Sequence, residues 1–255
     1  AVYDRHRNQK PIRESGYATD LIADEASKLI AERKNDQRPF FLYVAFNAVH
    51  GPLNTPPEFR GDPNDPMAIR ESMLKSLDQA VGKIDHAIDQ HGFRDNTLFI
   101  FTNDNGPVLE DLSRPYRGTK NTTYEGGVRQ PAVLRWPGHT KPGSKKQGMM
   151  FVADFLPTFI SLAGGQHEQP KRIDGIDMSS FLFEGAESQR MEIVFDVAGS
   201  VRQPTIRRGD FKLMGDALYN IRLDSAETTD LAKQHPNIVD ELRARVTSVG
   251  LERPP

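Results

Sequence analysis

Apolar positions along the chain change spacing from segment to segment, and the changes predict the elements. Between residues 19 and 33, Ile22, Ala26, Leu29 and Ile30 recur on one helical face, with Thr19 placed to cap the helix and Asp20 in its first turn. Phe40 to Phe46 is an unbroken apolar run of strand length. A strand apolar on both faces suits the interior of a parallel sheet covered by helices. A long helix is predicted next, from Asp65 as cap and Pro66 as first helical residue to Gly92, with Met73, Leu77, Val81, Ile84 and Ile88 as its buried stripe. Thr97 to Thr102 reads as a second buried strand, so strand, helix and strand predict a βαβ unit and a mainly parallel sheet. Gln130 to Arg135 predicts a further strand, and Asp154 to Ala163 a helix with Pro157 in its first turn.

The pattern shortens after Gly185. Ile193–Phe195, Thr205–Arg207, Phe211–Met214 and Ala217–Tyr219 read as short strands joined by turns. Pro236 to Val249 predicts an amphipathic helix with Ile238, Val239, Leu242 and Val246 inward and Glu241 four residues before Arg245. The expected organisation is an α/β part over residues 1–187 and a small antiparallel-sheet plus helix subdomain over 188–255. Residues 1–16, polar and irregular, predict a loop or frayed terminus.

Composition narrows the function classes. The 255 residues carry 33 Lys+Arg against 35 Asp+Glu. A nucleic-acid binder needs a basic stripe, so none is expected as partner. With no Cys there is no disulfide framework, Cys-ligated zinc or Cys nucleophile within these residues. A mean hydropathy of -0.58 and the lack of a long uncharged apolar run predict no transmembrane segment.

Candidate chemistry sits in the loops after the two apolar strands, and ligands of parallel sheets bind at the carboxyl ends of strands. Asp104 and Asn105 offer hard oxygen ligands suited to Ca²⁺ or Mg²⁺, although Asp-Asn-Gly is equally a turn sequence. His50 could hydrogen-bond an anionic ester or protonate a leaving group, or be an ordinary loop histidine. Lys120 offers a point charge for a tetrahedral anion, or a solvated surface charge. Gly126-Gly127 allows close backbone approach, or supplies a turn.

The order of these segments resembles a known family. Phe40-Phe41-Leu42-Tyr43 with Asn47-Ala48-Val49-His50-Gly51-Pro52-Leu53 is similar to the sulfatase segment PFFLYLAYNAPHxPL. Residues 95–106, DNTLFIFTNDNG, resemble DNTLVIFTSDNG, and residues 115–131, PYRGTKNTTYEGGVRQP, resemble PLRGGKxTxYEGGIRVP. Trp136-Pro137-Gly138, Asp154-Phe155-Leu156-Pro157-Thr158 and the tail from Ile206 to Leu231 follow in family order, and the resemblance leans toward the arylsulfatase B type. It implies an alkaline-phosphatase-like α/β fold, hydrolysis of sulfate monoesters of a sulfated sugar, glycan or aryl compound, and a periplasmic, secreted or lysosomal location. It also implies that Asp104 and Asn105 ligate calcium (magnesium being possible) and that His50 and Lys120 contact the sulfate, His50 on the leaving-group side. Asn103, Pro107, Val49 and Gln130 depart from the family pattern without removing any of these groups.

By the resemblance, the nucleophile is a formylglycine made from Cys or Ser in C/S-x-P-x-R, accompanied by a pair of adjacent Asp ligands; neither a Cys nor an Asp-Asp pair occurs here. Ser113-Arg114-Pro115-Tyr116-Arg117 fits the pattern literally, but overlaps the segment that resembles PLRGGK and leads into loop rather than helix. Ca²⁺ takes about six to eight oxygens, of which Asp104 and Asn105 supply about three. The expectation is a C-terminal portion of a longer sulfatase, partnered by a missing N-terminal half. The competing readings are a phosphate mono- or diester hydrolase of the same superfamily and an inactive C-terminal fragment.

Overall fold

A computed structural model describes residues 5–36, 38–166, 173–195 and 204–252. Residues 1–4 of the expected N-terminal loop lie outside the described residues. Two compact units divide the chain, Ala1–Thr97 and Leu98–Pro255.

The first unit opens with a minimal hairpin, β1 (His6–Arg7) against β2 (Lys10–Pro11), where a loop was expected. Its core is the packing of α1 (Ala18–Glu32) on α2 (Pro66–Gln90). Asp65 accepts the amide of Met67 at 2.8 Å and Pro66 opens α2, as the sequence predicts. An N-cap carboxylate satisfies a helix donor that has no intrahelical partner. Met73, Leu77, Ile84 and Ile88 are buried, joined by Ile69, Ala80 and Ala87, and Val81 lies at the margin. In α1 the expected cap is wrong by two residues. Tyr17 precedes the helix without a side-chain cap, and Thr19 is buried inside it with Ala23, Ala26 and Ile30, whereas Leu29 turns outward.

Phe40–Phe46 corrects the sequence reading most sharply. Its even-numbered residues are half-buried and its odd-numbered ones exposed, an extended alternation, yet it pairs with no strand among the described residues. Phe41 is 74% and Tyr43 82% exposed, so the expected two-sided burial is absent.

The second unit holds β3 (Phe99–Thr102) paired with β4 (Ala132–Arg135). That pairing is antiparallel, Thr102 opposite Ala132. Among the described residues every ladder is antiparallel, so the predicted βαβ unit and parallel sheet do not form here. The chain returning from the loop after β3 supplies its antiparallel neighbour β4. A four-residue turn of helix, α3 (Glu125–Val128), lies in that loop, and α4 (Phe155–Leu162) follows β4.

The unit ends in a four-stranded antiparallel sheet, β5 (Glu192–Phe195), β6 (Thr205–Arg208), β7 (Phe211–Met214) and β8 (Ala217–Asn220), with α5 (Pro236–Glu252). Period-two alternation gives this sheet two different faces. Ile206, Leu213 and Leu218 stand in register on one face and pack against Val239 and Leu242 of α5. The opposite face carries Thr205, Arg207, Lys212, Met214 and Tyr219. The helical pair expected between Glu241 and Arg245 is replaced by ties to the sheet: Glu241 meets Arg208 at 2.7 Å and Arg245 meets Glu192 at 2.7 Å. Among the described residues no helix is long and apolar enough to cross a membrane.

Candidate functional site

β3 ends at Thr102 and delivers Asn103, Asp104 and Asn105 into a loop. Asp104 is exposed, and one of its oxygens accepts the Asn105 amide at 2.8 Å. The Asn105 Oδ1 is buried and has no hydrogen-bond partner. A buried acceptor without a donor carries a desolvation cost of about 1–3 kcal/mol. A cation would remove that cost, and the side chains beside it are hard oxygen donors of the kind calcium or magnesium takes. The residues therefore fit a divalent ion, although among the described residues no group of three or more His, Cys, Asp or Glu side chains converges on one point.

The loop is locked to the segment carrying Lys120. The Gly106 amide donates to the Gly127 carbonyl at 3.0 Å, and the Lys120 amide donates to the Pro107 carbonyl at 2.8 Å. The two backbones approach so closely that a Cβ at Gly106 would sit 1.8 Å from the Gly126 oxygen, and one at Gly126 would sit 2.3 Å from the Gly118 oxygen. Only glycine permits this contact. The oxygen pair at Asp104–Asn105 and the cation-bearing segment at Lys120 are thus parts of one construction.

His50 belongs to the first unit. Its amide closes a turn on the Asn47 carbonyl at 2.9 Å, and its exposed ring places Nδ1 2.7 Å from the Gly51 carbonyl. The carbonyl can only accept, so in the neutral ring this contact places the proton on Nδ1.

Ser113 is buried, and its hydroxyl is directed to the carbonyls of Glu110 at 2.7 Å and Tyr116 at 3.1 Å. The Ser-x-Pro-x-Arg match is therefore a structural turn whose serine faces inward.

The sequence reading assigned no role to the charges beneath the Lys120 loop. Glu125 is 1% exposed, and it pairs with Lys212 at 3.1 Å and Arg207 at 3.2 Å. Lys212, with no exposed surface, also reaches Glu227 at 2.9 Å. Glu227 in turn accepts the Glu125 amide at 2.6 Å, and burial pushes its carboxyl above the ordinary range despite the Lys212 ammonium. Arg117 donates to the Glu227 carbonyl at 2.9 Å and lies over the Tyr124 ring at 4.2 Å. Thr123 and Thr205 join their hydroxyls at 2.9 Å. The available signal was Lys212 between Phe211 and Leu213. Strand alternation turns it away from the helix-covered face, but does not show what covers the other one.

A second buried pair stabilises the segment after β4. Arg190 makes a bidentate contact with Asp154, which also accepts the amides of Phe151 at 2.7 Å and Ile176 at 2.8 Å.

Residues 1–165 match the family model described as Sulfatase, and residues 119–249 match that of N-sulphoglucosamine sulphohydrolase, C-terminal. Arylsulfatase A of Homo sapiens is 38% identical over 180 residues, covering 67% of this chain and 34% of that protein. The N-acetylgalactosamine-6-O-sulfatase of Bacteroides thetaiotaomicron is 29% identical over 262 residues, covering 90% of this chain and 50% of that protein. The crystal structure of Ps i-CgsB superposes with a TM-score of 0.83 at 28% identity, covering 94% of this chain and 57% of that one. The chain spans between about a third and about half of the length of the curated relatives it matches.

Proposed function

Because the chain belongs to the sulfatase family and has its alkaline-phosphatase-like α/β fold, we propose that it contributes part of the active site of a sulfuric ester hydrolase acting on a sulfated sugar or aryl sulfate. The observation that carries this reading is the glycine-lined lock that holds the Asp104–Asn105 oxygens beside the Lys120 segment. Asp104 and Asn105 would hold a calcium ion through their side-chain oxygens, the orphaned Asn105 Oδ1 foremost. The bound ion would supply Lewis-acid polarisation of the ester. Lys120 would neutralise the sulfate oxygens, and His50, as the imidazolium, would give its Nε2 proton to the departing oxygen and be left as the neutral ring protonated at Nδ1.

The nucleophile, an oxidised Cys or Ser side chain, and the remaining calcium ligands would come from residues outside these 255. The run Phe40–Phe46, extended yet in no strand ladder among the described residues and with Phe41 and Tyr43 on an exposed face, supports such a partner segment. By family resemblance the protein would act in the periplasm, the lysosome or outside the cell.

The test is a side-by-side assay of aryl sulfate and aryl phosphate esters with the protein that carries this chain and its partner segment. Sulfate turnover is expected, falling by about 10²–10³ in Asp104→Ala and Lys120→Ala with the fold retained. Preferred turnover of phosphate, or unchanged rates in both variants, would overturn the assignment.

A further inference from the structure

Two carboxylates from separate segments converge on one buried ammonium beneath the Lys120 loop. Glu125 comes from the loop itself, and Glu227 from the turn that follows the four-stranded sheet. Lys212 reaches both, at 3.1 and 2.9 Å, from the sheet face that α5 leaves uncovered. It has no exposed surface and cannot touch a substrate. An apolar side chain of similar volume would fill the space, but it would not fix which loop atom lies over which strand.

The contacts continue toward the oxygen pair. Glu227 holds the Glu125 amide at 2.6 Å, two residues before Gly127, whose carbonyl holds Gly106 at 3.0 Å, next to Asn105. At the other end of the loop, Arg117 is tied to the Glu227 carbonyl at 2.9 Å. The segment 117–125 is therefore fastened at both ends to the same glutamate, and that glutamate is fastened to the sheet by Lys212.

We infer that Lys212 is a positioning residue: acting through Glu125 and Glu227, it sets the backbone on which Lys120, Asp104 and Asn105 are arranged. Its functional weight rests on the sulfate-ester reading of those loops, whereas the tether itself does not.

Amide hydrogen exchange followed by NMR on the full 255-residue chain tests the inference without any turnover. In Lys212→Met, the amides of Gly106, Lys120 and Gly126 are expected to lose about tenfold or more protection beyond whatever the β7–β8 ladder and α2 lose with global stability. Lys212→Arg, which retains a cation, should restore much of the loop protection. If Lys212→Met does not fold, Glu125→Gln keeps the side-chain shape and an acceptor oxygen but loses the charge; the same three amides should then exchange about threefold faster. Unchanged loop protection in a folded variant would overturn the inference. So would equal loss in loop and ladder, which would mark Lys212 as a support of the sheet alone. A failed exchange result leaves the hydrolase reading standing, and a wild-type protein without sulfatase turnover leaves the tether standing.

Discussion

The loop system from Asn103 to Gly127 and the segment from Phe40 to Pro52 differ in how their demands are met. In the first, polar groups find partners far along the chain: Glu125 meets Lys212 and Arg207, Thr123 meets Thr205, and Gly106 meets Gly127. In the second, an apolar run holds an extended shape with Phe41 and Tyr43 outward, and the His50 ring contacts the carbonyl of its own neighbour. The more hydrophobic segment is the more exposed, and the more charged one is the more buried. Burial follows from what covers a face, not from the character of the residue alone.

Replacing the lysine at the centre of the charge cluster would break this contrast most strongly. Lys212→Met leaves two buried carboxylates without their ammonium, and equilibrium denaturation should show a loss of about 3–5 kcal/mol. Next comes the backbone lock. Gly106→Ala places a methyl group 1.8 Å from the Gly126 oxygen, and the loops must separate. A loss of about 1–3 kcal/mol is expected by denaturation, together with weaker binding of a lanthanide probe at Asp104–Asn105.

A smaller effect is expected from pH. Burial holds the Glu227 carboxyl above its ordinary value of 4.5. The folded chain therefore retains a proton that the unfolded chain releases, and stability should fall as pH rises from about 4.5 through the raised value. Glu227→Gln should flatten that slope in denaturation curves taken across the window; a slope unchanged by the substitution would assign it to other groups.

The smallest change is expected where the hydrophobic pattern suggests the largest. A buried phenylalanine costs about 3–5 kcal/mol when truncated. At 74% exposure, Phe41→Ser should move the stability of this chain by only about 0.5 kcal/mol. A multi-kilocalorie loss would mean that the run is covered in solution, by a partner segment or by a second copy.

Local signals in the sequence translated faithfully. Asp65 and Pro66 begin α2, Gly92 follows its end in the left-handed conformation, and Val239 and Leu242 face the sheet. Those outcomes depend on neighbours within a few residues. Parallel pairing of Phe40–Phe46 and the Glu241–Arg245 pair failed for the opposite reason. The first needs a distant strand, and the second competes with Arg208 and Glu192, which only the folded sheet brings near. At the candidate site, Asp104, Asn105, Lys120 and His50 were legible through motif order, and Gly126-Gly127 through its suggestion of close approach. Lys212 and Glu227 were not, because a lysine in a strand and a glutamate in a turn look like solvated charges.

By itself the sequence determined the family, the helices and short strands, and the loops that carry the candidate chemistry, since these rest on short-range order and periodicity. Only the tertiary structure decided which apolar face stays open, which charges lose all contact with water and how the glycine backbones interlock. The buried charges and the interlocked glycines are encounters between residues from 8 to 110 positions apart, and no local pattern encodes which partner will arrive.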